Sequence, residues 1–156
     1  MRSVADELPR AFGFAEPVFW RSELEADPES ELSEDQCVIE GEYYFIRGRV
    51  QIPIAATDYH FEWGVWVSVS EERFDQIHAS WEQPGRESEP PYFGWLANEV
   101  PVYTSTLELR AHVYTRPVGE QPVIDLEPTD HPLAVEQSHG ITMERMHEIA
   151  ELLLHD

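Results

Sequence analysis

Lysine is missing from this chain: all ten of its basic residues are arginine, set against thirty-one acidic residues, for a formal charge of −21. A field of that sign keeps the protein soluble and opposes binding to nucleic acid or to an anionic lipid surface. It permits association with a basic protein partner. An arginine-for-lysine bias also suits a GC-rich genome, and the acidity suits a salt-adapted cytoplasm. Cysteine is nearly missing as well. The single Cys37 cannot form an intramolecular disulfide or a cysteine-based zinc site by itself, and apolar Val38 and Ile39 beside it point to burial rather than to a nucleophile. No apolar run approaches the length of a membrane span. The start, "MRSVADELPR", has no hydrophobic core of a signal peptide. The expected location is the cytoplasm. Nucleotide, zinc-protease and serine-hydrolase motifs are also missing, so no cofactor is expected.

At 156 residues the chain suits one domain. Five Trp, six Tyr and seven Phe supply an ordinary core. A domain of this size buries about 70% of its unfolded surface. Residues 1–20 read as an irregular segment ending in the aromatic anchor "PVFW", and residues 23–35 as a wet acidic stretch. Alternation then dominates. In "YYFIRGRVQIPI" Tyr44, Ile46, Val50, Ile52 and Ile54 share one side; in "FEWGVWVSVS" Phe61, Trp63, Val65, Val67 and Val69 do. Both are half-buried strands joined by the short loop "AATDYH". Ser70 suits the cap of a helix over 71–83, which presents Phe74, Ile77, His78 and Trp81. "EQPGRESEPP" is expected to end it as the longest mobile loop.

"YFGWLANEVPVY" is a short strand or coil, with Tyr92, Phe93 and Trp95 expected in the core or, alternatively, at an interface. "TLELRAHVYT" alternates, with Leu107, Leu109, Ala111 and Val113 inward and Glu108, Arg110, His112 and Tyr114 outward. "QPVIDLEP", bounded by prolines, suits an edge strand. In "EPTDHPLAVEQSHGIT" Thr129 or Asp130 suits a helix cap, Pro132 a first turn and Gly140 a stop. A last helix from Thr142 carries Met146, Ile149, Ala150 and Leu153 on one side. Strands first and helices after give an α+β fold: a twisted antiparallel sheet of about five strands with helices packed on one face.

Two polar constellations are candidates for function. Glu136 with His139, and Glu144 with His147, have the spacing of metal-ligand pairs. Gly140 interrupts any helix that would join them, and two pairs are near chance in so acidic a chain, so no metal site is expected. His131 and Asp130 instead suit a turn. On the sheet, parity permits Val50 opposite Val65 and Arg49 opposite Trp66, a cation–π pair. With Arg47, Arg110, His112 and Tyr114 on the same side, and Asp130 and His131 as acid–base groups, that face could bind an anion or small molecule. The competing reading is a non-enzymatic, immunity- or inhibitor-like module whose negative field steers a basic partner.

The segments "DQCVIEGEYYFIRGRVQIPI", "FEWGVWVSVSEERF", "YFGWLANEVPVYTSTLELRAHV" and "LEPTDHPLAVEQSHGIT" resemble the bacterial family called domain of unknown function 2199, in order from about Leu8 to the C-terminus. The resemblance implies a fold and no activity. It also implies, for many members, a C-x-x-C-G zinc-knuckle-like segment just before the part matching "ELPRAFGF". This chain has "MRSVAD" there and no cysteine pair, so the resemblance brings no N-terminal metal site.

Overall fold

The computed structural model describes residues 10–154. The stretch where the zinc-knuckle comparison falls lies outside them. The fold is α+β, as expected. Eight strands among the described residues form one sheet: β1 Ala11–Gly13, β2 Glu31–Leu32, β3 Gln36–Ile39, β4 Tyr43–Pro53, β5 His60–Val69, β6 Tyr92–Leu96, β7 Arg110–Tyr114 and β8 Val123–Leu126. Three helices accompany it: α1 Glu71–Ala79, α2 Pro132–His139 and α3 Met143–Leu154. Within the segment expected to be irregular, Ala11–Gly13 forms a strand parallel to β5.

The sheet is neither flat nor wholly antiparallel. Strands β4 to β8 follow one another in antiparallel order, and β8 returns beside β4 in parallel, Arg49 opposite Val123, closing a five-stranded barrel. An odd number of strands in up-and-down order leaves one parallel pair at closure. β8 is therefore an interior strand, not an edge. Pro122 lies just before it, where the carbonyl accepts the Arg49 amide at 3.0 Å and no N–H is needed. Closure needs close backbone approach at Gly48, where a Cβ would stand 2.7 Å from Ile124 Cδ1 and 2.8 Å from the Pro122 oxygen.

Parity places side chains as the alternation requires. Ile46, Val50, Ile52, Phe61, Trp63, Val65 and Val67 face inward and are fully buried. Phe74 and Ile77 of α1, Leu133 of α2, and Met146, Ile149 and Ala150 of α3 join the same core. Ser70 caps α1, accepting the Arg73 amide at 3.2 Å. The cap of α2 is His131 rather than Thr129 or Asp130, and Gly140 ends it at φ 80°.

A second, smaller core lies outside the barrel. Trp20 and Leu24 from the segment after β1 pack on Cys37, Ile39, Phe45, Trp66 and Ala97. The outer face of β3, β4 and β5 is thus partly covered. The expected mobile loop after α1 is pinned instead. Arg86 is buried, with Nε bonded to the Arg116 carbonyl at 2.5 Å, Nη1 to that of Trp81 at 2.7 Å, and Nη2 to those of Glu120 at 2.9 Å and Pro117 at 3.2 Å.

Candidate functional site

The outer barrel face carries a cross-strand row: Phe45 on β4 opposite Ser68 on β5, Ser68 opposite Trp95 on β6, and Trp95 opposite Arg110 on β7. A small residue between two aromatic rings leaves a depression. It is a hollow of about 580 Å³ with Ser68, Leu96 and Ala97 at its base, walled by Phe19, Tyr43, Phe45 and Trp95. Three of the walls are large and apolar yet accessible, with Phe19 50%, Tyr43 53% and Trp95 42% exposed. Phe19 packs on Phe45 with ring centroids 6.1 Å apart, and the Arg110 guanidinium lies 5.3 Å from the Trp95 ring centroid.

Two carboxylates rim the hollow, Glu40 and Glu108. Both residues have left-handed backbone, at φ 55° and 65°. Glu40 and Gly41 are the central residues of a β-turn closed by the Glu42 amide on the Ile39 carbonyl at 3.0 Å. With φ positive at both, it is a turn in which asparagine or glycine ordinarily precedes glycine. Glu108 sits where strand β7 was expected to have begun; its amide bonds the Leu96 carbonyl at 2.8 Å and the regular strand starts at Arg110. Arg21 Nη2 bonds Glu40 Oε1 at 2.8 Å. The Glu108 carboxylate has no hydrogen-bond or ion-pair partner among the described residues.

The residues singled out from sequence fall into separate places. Trp66 stands opposite Arg47, not Arg49, and Val50 stands opposite Trp63, not Val65. The hairpin is shifted by two residues from the expected register, because the Ile54 amide bonds the Tyr59 carbonyl at 3.1 Å and so fixes the turn. The Arg47 guanidinium is 5.8 Å from the Trp66 ring, but Trp66 is wholly buried and donates Nε1–H to the Phe14 carbonyl at 3.0 Å. This pair belongs to the second core and is closed to a ligand. Arg49 Nη1 bonds Glu62 Oε2 at 3.2 Å. Arg110 and His112 share Glu127, at 3.2 and 2.9 Å. Arg49 and Tyr114 line a smaller hollow of about 380 Å³ with Arg116, Glu120 and Asp125. Partial burial raises the Asp125 pKa, against the lowering influence of His112. Asp130 is exposed and accepts from the Thr129 hydroxyl at 3.4 Å. His131 is structural: Nδ1 accepts the Leu133 amide at 3.0 Å, while Nε2 lies 3.0 Å from the Ser105 carbonyl oxygen. That fixes the proton on Nε2.

The rest of the "DHPLAVEQSHGIT" segment is also structural. Glu136 Oε2 accepts from Arg145 Nε at 3.0 Å. The Gln137 amide donates to the Ile124 carbonyl and accepts the Leu126 amide, both at 2.8 Å. Beside Glu136 lies Tyr103, whose hydroxyl pKa is driven up first by burial and then by that carboxylate. Burial also pushes the Cys37 thiol up to about 12, which leaves it protonated and inert. Among the described residues no group of three or more His, Cys, Asp or Glu is placed to hold a metal ion, and no helix is long and apolar enough to cross a membrane.

Sequence reasoning missed Phe19, Glu40, Tyr43, Phe45, Ser68 and Ala97. One signal was available: "EG" between two apolar runs is a hairpin turn with glutamate in the place favoured for asparagine.

Fold and hollow together define an acidic α+β protein built on a small closed barrel, with an aromatic depression on the barrel's outside. The chain belongs to the bacterial family described as "Uncharacterized protein conserved in bacteria (DUF2199)", whose model matches residues 3–141. Comparison with curated proteins and with solved structures gave no match.

Proposed function

We propose that the chain acts as a single-domain, non-enzymatic, cytoplasmic protein-binding module of the inhibitor kind, and that the aromatic hollow receives a basic segment of its partner. One observation carries the reading. Two glutamates, both in backbone conformations that favour glycine or asparagine, stand on the rim of a hollow walled by exposed aromatic rings. Left-handed backbone at a non-glycine residue costs about 1 kcal/mol, and such costs gather at functional sites. Carboxylates above aromatic faces suit a cationic side chain, through charge and through the ring quadrupole. The formal charge of −21 adds long-range attraction for the same kind of partner.

The test is a titration of isotope-labelled protein with a short peptide alternating arginine and serine, followed by amide chemical shifts. Shifts should gather at Phe19, Tyr43, Ser68, Trp95 and Glu108, and weaken as salt is raised. Ser68→Phe fills the base of the hollow and should abolish them while leaving the barrel core intact. Saturable binding that Ser68→Phe leaves untouched would overturn the reading.

A small-molecule or anion-binding enzyme is the second reading. It is favoured by Arg49, Tyr114 and Arg116 lining one hollow. It ranks lower because Glu120 and Asp125 line that hollow too, and Arg49 is already held by Glu62. Thermal stabilisation by inorganic phosphate, lost in Arg116→Ala, would favour it.

A further inference from the structure

We infer that the hollow recognises an arginine side chain in particular, and that Arg21 is its internal stand-in, displaced from Glu40 when the partner arrives. This rests on the reading above. Glu40 and Glu108 differ in one respect. Arg21 occupies the first through a 2.8 Å bond, while the second has no cation among the described residues. A basic segment therefore finds one carboxylate open and one already engaged.

Arg21 shows what chemistry the site takes. It lines the hollow together with Phe19 and Tyr43, and its guanidinium also stands 3.9 Å from Glu23. Both partners of the Arg21–Glu40 pair are well exposed, at 57% and 46% of their side-chain surface. Such an exposed pair is weak, so a competing guanidinium can exchange with it. Arginine fits better than lysine for two reasons. Its flat face stacks on rings, and its fork can meet a carboxylate with two parallel bonds. The wall itself demonstrates the first, since Trp95 already carries the Arg110 guanidinium at 5.3 Å. Glu23 helps to retain the released Arg21 near the rim, so the latch can return.

Calorimetric titration of the whole chain distinguishes the possibilities. The probes are the arginine–serine peptide, the same peptide with lysine, and the same with citrulline, which keeps arginine's shape and loses its charge. Arg21→Ala should bind the arginine peptide about threefold more tightly, the weight of an exposed ion pair no longer broken on binding. Arg116→Ala makes the same change in net charge away from the hollow and should not reproduce the gain. The lysine peptide should bind more weakly, and the citrulline peptide not at all. Equal tightening in Arg21→Ala and Arg116→Ala, or none in Arg21→Ala, overturns the displacement while leaving a docking site. Equal affinity for the lysine peptide overturns the preference for arginine. Failure of every basic peptide to bind either wild type or Arg21→Ala overturns the docking reading as well.

Discussion

Glu40 and Glu108, brought to one rim by different turns, both hold left-handed backbone. Neither backbone conformation favours glutamate. Glu40→Asn places a favoured residue in the turn before Gly41, and Glu108→Gly removes a Cβ from a left-handed site. Each relieves about 1 kcal/mol of backbone cost. Glu40→Asn gives back part of that by losing the exposed Arg21 pair. Urea unfolding should therefore show Glu108→Gly at least as stable as wild type, and Glu40→Asn within about 1 kcal/mol of it. Binding of the arginine peptide should fall in both. Clear destabilisation by Glu108→Gly would assign its carboxylate a folding role and remove the case for the rim as a site.

Arg86 is the second test. Its guanidinium is buried and satisfied by the carbonyls of Trp81, Arg116, Pro117 and Glu120, and it lies 4.7 Å from the Trp81 ring centroid. It joins the turn after α1 to the connection between β7 and β8. Removing it strips several carbonyls of their partner at once, some of them on exposed residues, so Arg86→Ala should cost about 1–3 kcal/mol in chemical denaturation. Arg86→Lys should recover little, because an ammonium cannot span the same fork of acceptors. A cost under 1 kcal/mol for Arg86→Ala would mean that water replaces the side chain.

Gln137 offers a sharper contrast. Its side-chain amide is paired with both backbone groups that β8 presents towards α2, at 2.8 Å each. Gln137→Leu keeps the volume and leaves the Leu126 N–H and the Ile124 carbonyl without that partner, a loss of about 1–3 kcal/mol. Gln137→Glu keeps an acceptor for Leu126 but turns a carboxylate oxygen towards the Ile124 carbonyl. Both variants should unfold at lower urea, and hydrogen exchange at the Leu126 amide should rise in Gln137→Leu before the rest of the barrel opens. An unchanged rate there would show that β8 does not depend on α2.

Much of this architecture was legible, and the failures have identifiable causes. Alternation assigned Ile46, Val50, Ile52, Phe61 and Trp63 to the core, because burial on one side of a strand imposes a period of two. The same period cannot detect a slip of two residues, which is why Arg49 rather than Arg47 was expected opposite Trp66. Hydrogen bonding within the Ile54–Tyr59 turn sets that register, and its sequence carries no distinctive signature. Closure of the barrel was invisible for a related reason. The prolines flanking β8 suggested an edge, yet both lie outside Val123–Leu126 and leave its ladder intact. Arg86 falls inside the segment read as a mobile loop, since nothing local marks an arginine whose partners are carbonyls of a later loop. The hollow was hidden by the same habit. Phe45 shares the outward side of its strand with Arg47 and Arg49, and the covering segment that includes Trp20 and Leu24 is rich in acid, so neither reads as part of an aromatic wall.

The carboxylates make stability depend on pH with a definite sign. Asp35 is raised above the ordinary range by burial and by Glu34, against Arg47 and Arg86. Asp125 is raised by burial against His112. A carboxyl whose folded pKa is raised takes its proton in the folded state first. Its charged form opposes folding at neutral pH, and that cost is relieved as pH falls through the folded value towards the unfolded one. Asp27 acts in the other sense: the Ser30 hydroxyl and the Glu29 amide hold it low, and its contribution is lost only as pH falls through that lowered value. Between the two windows the −21 charge is also partly neutralised, which reduces self-repulsion. Thermal melting should therefore give a higher Tm at about pH 5 than at pH 7, with a decline in stronger acid. The double variant Asp35→Asn, Asp125→Asn should melt higher at pH 7 and show a flatter rise on acidification. A wild-type Tm that falls from pH 7 to pH 5 would reverse the sign and show that Asp35 and Asp125 do not set the pH dependence.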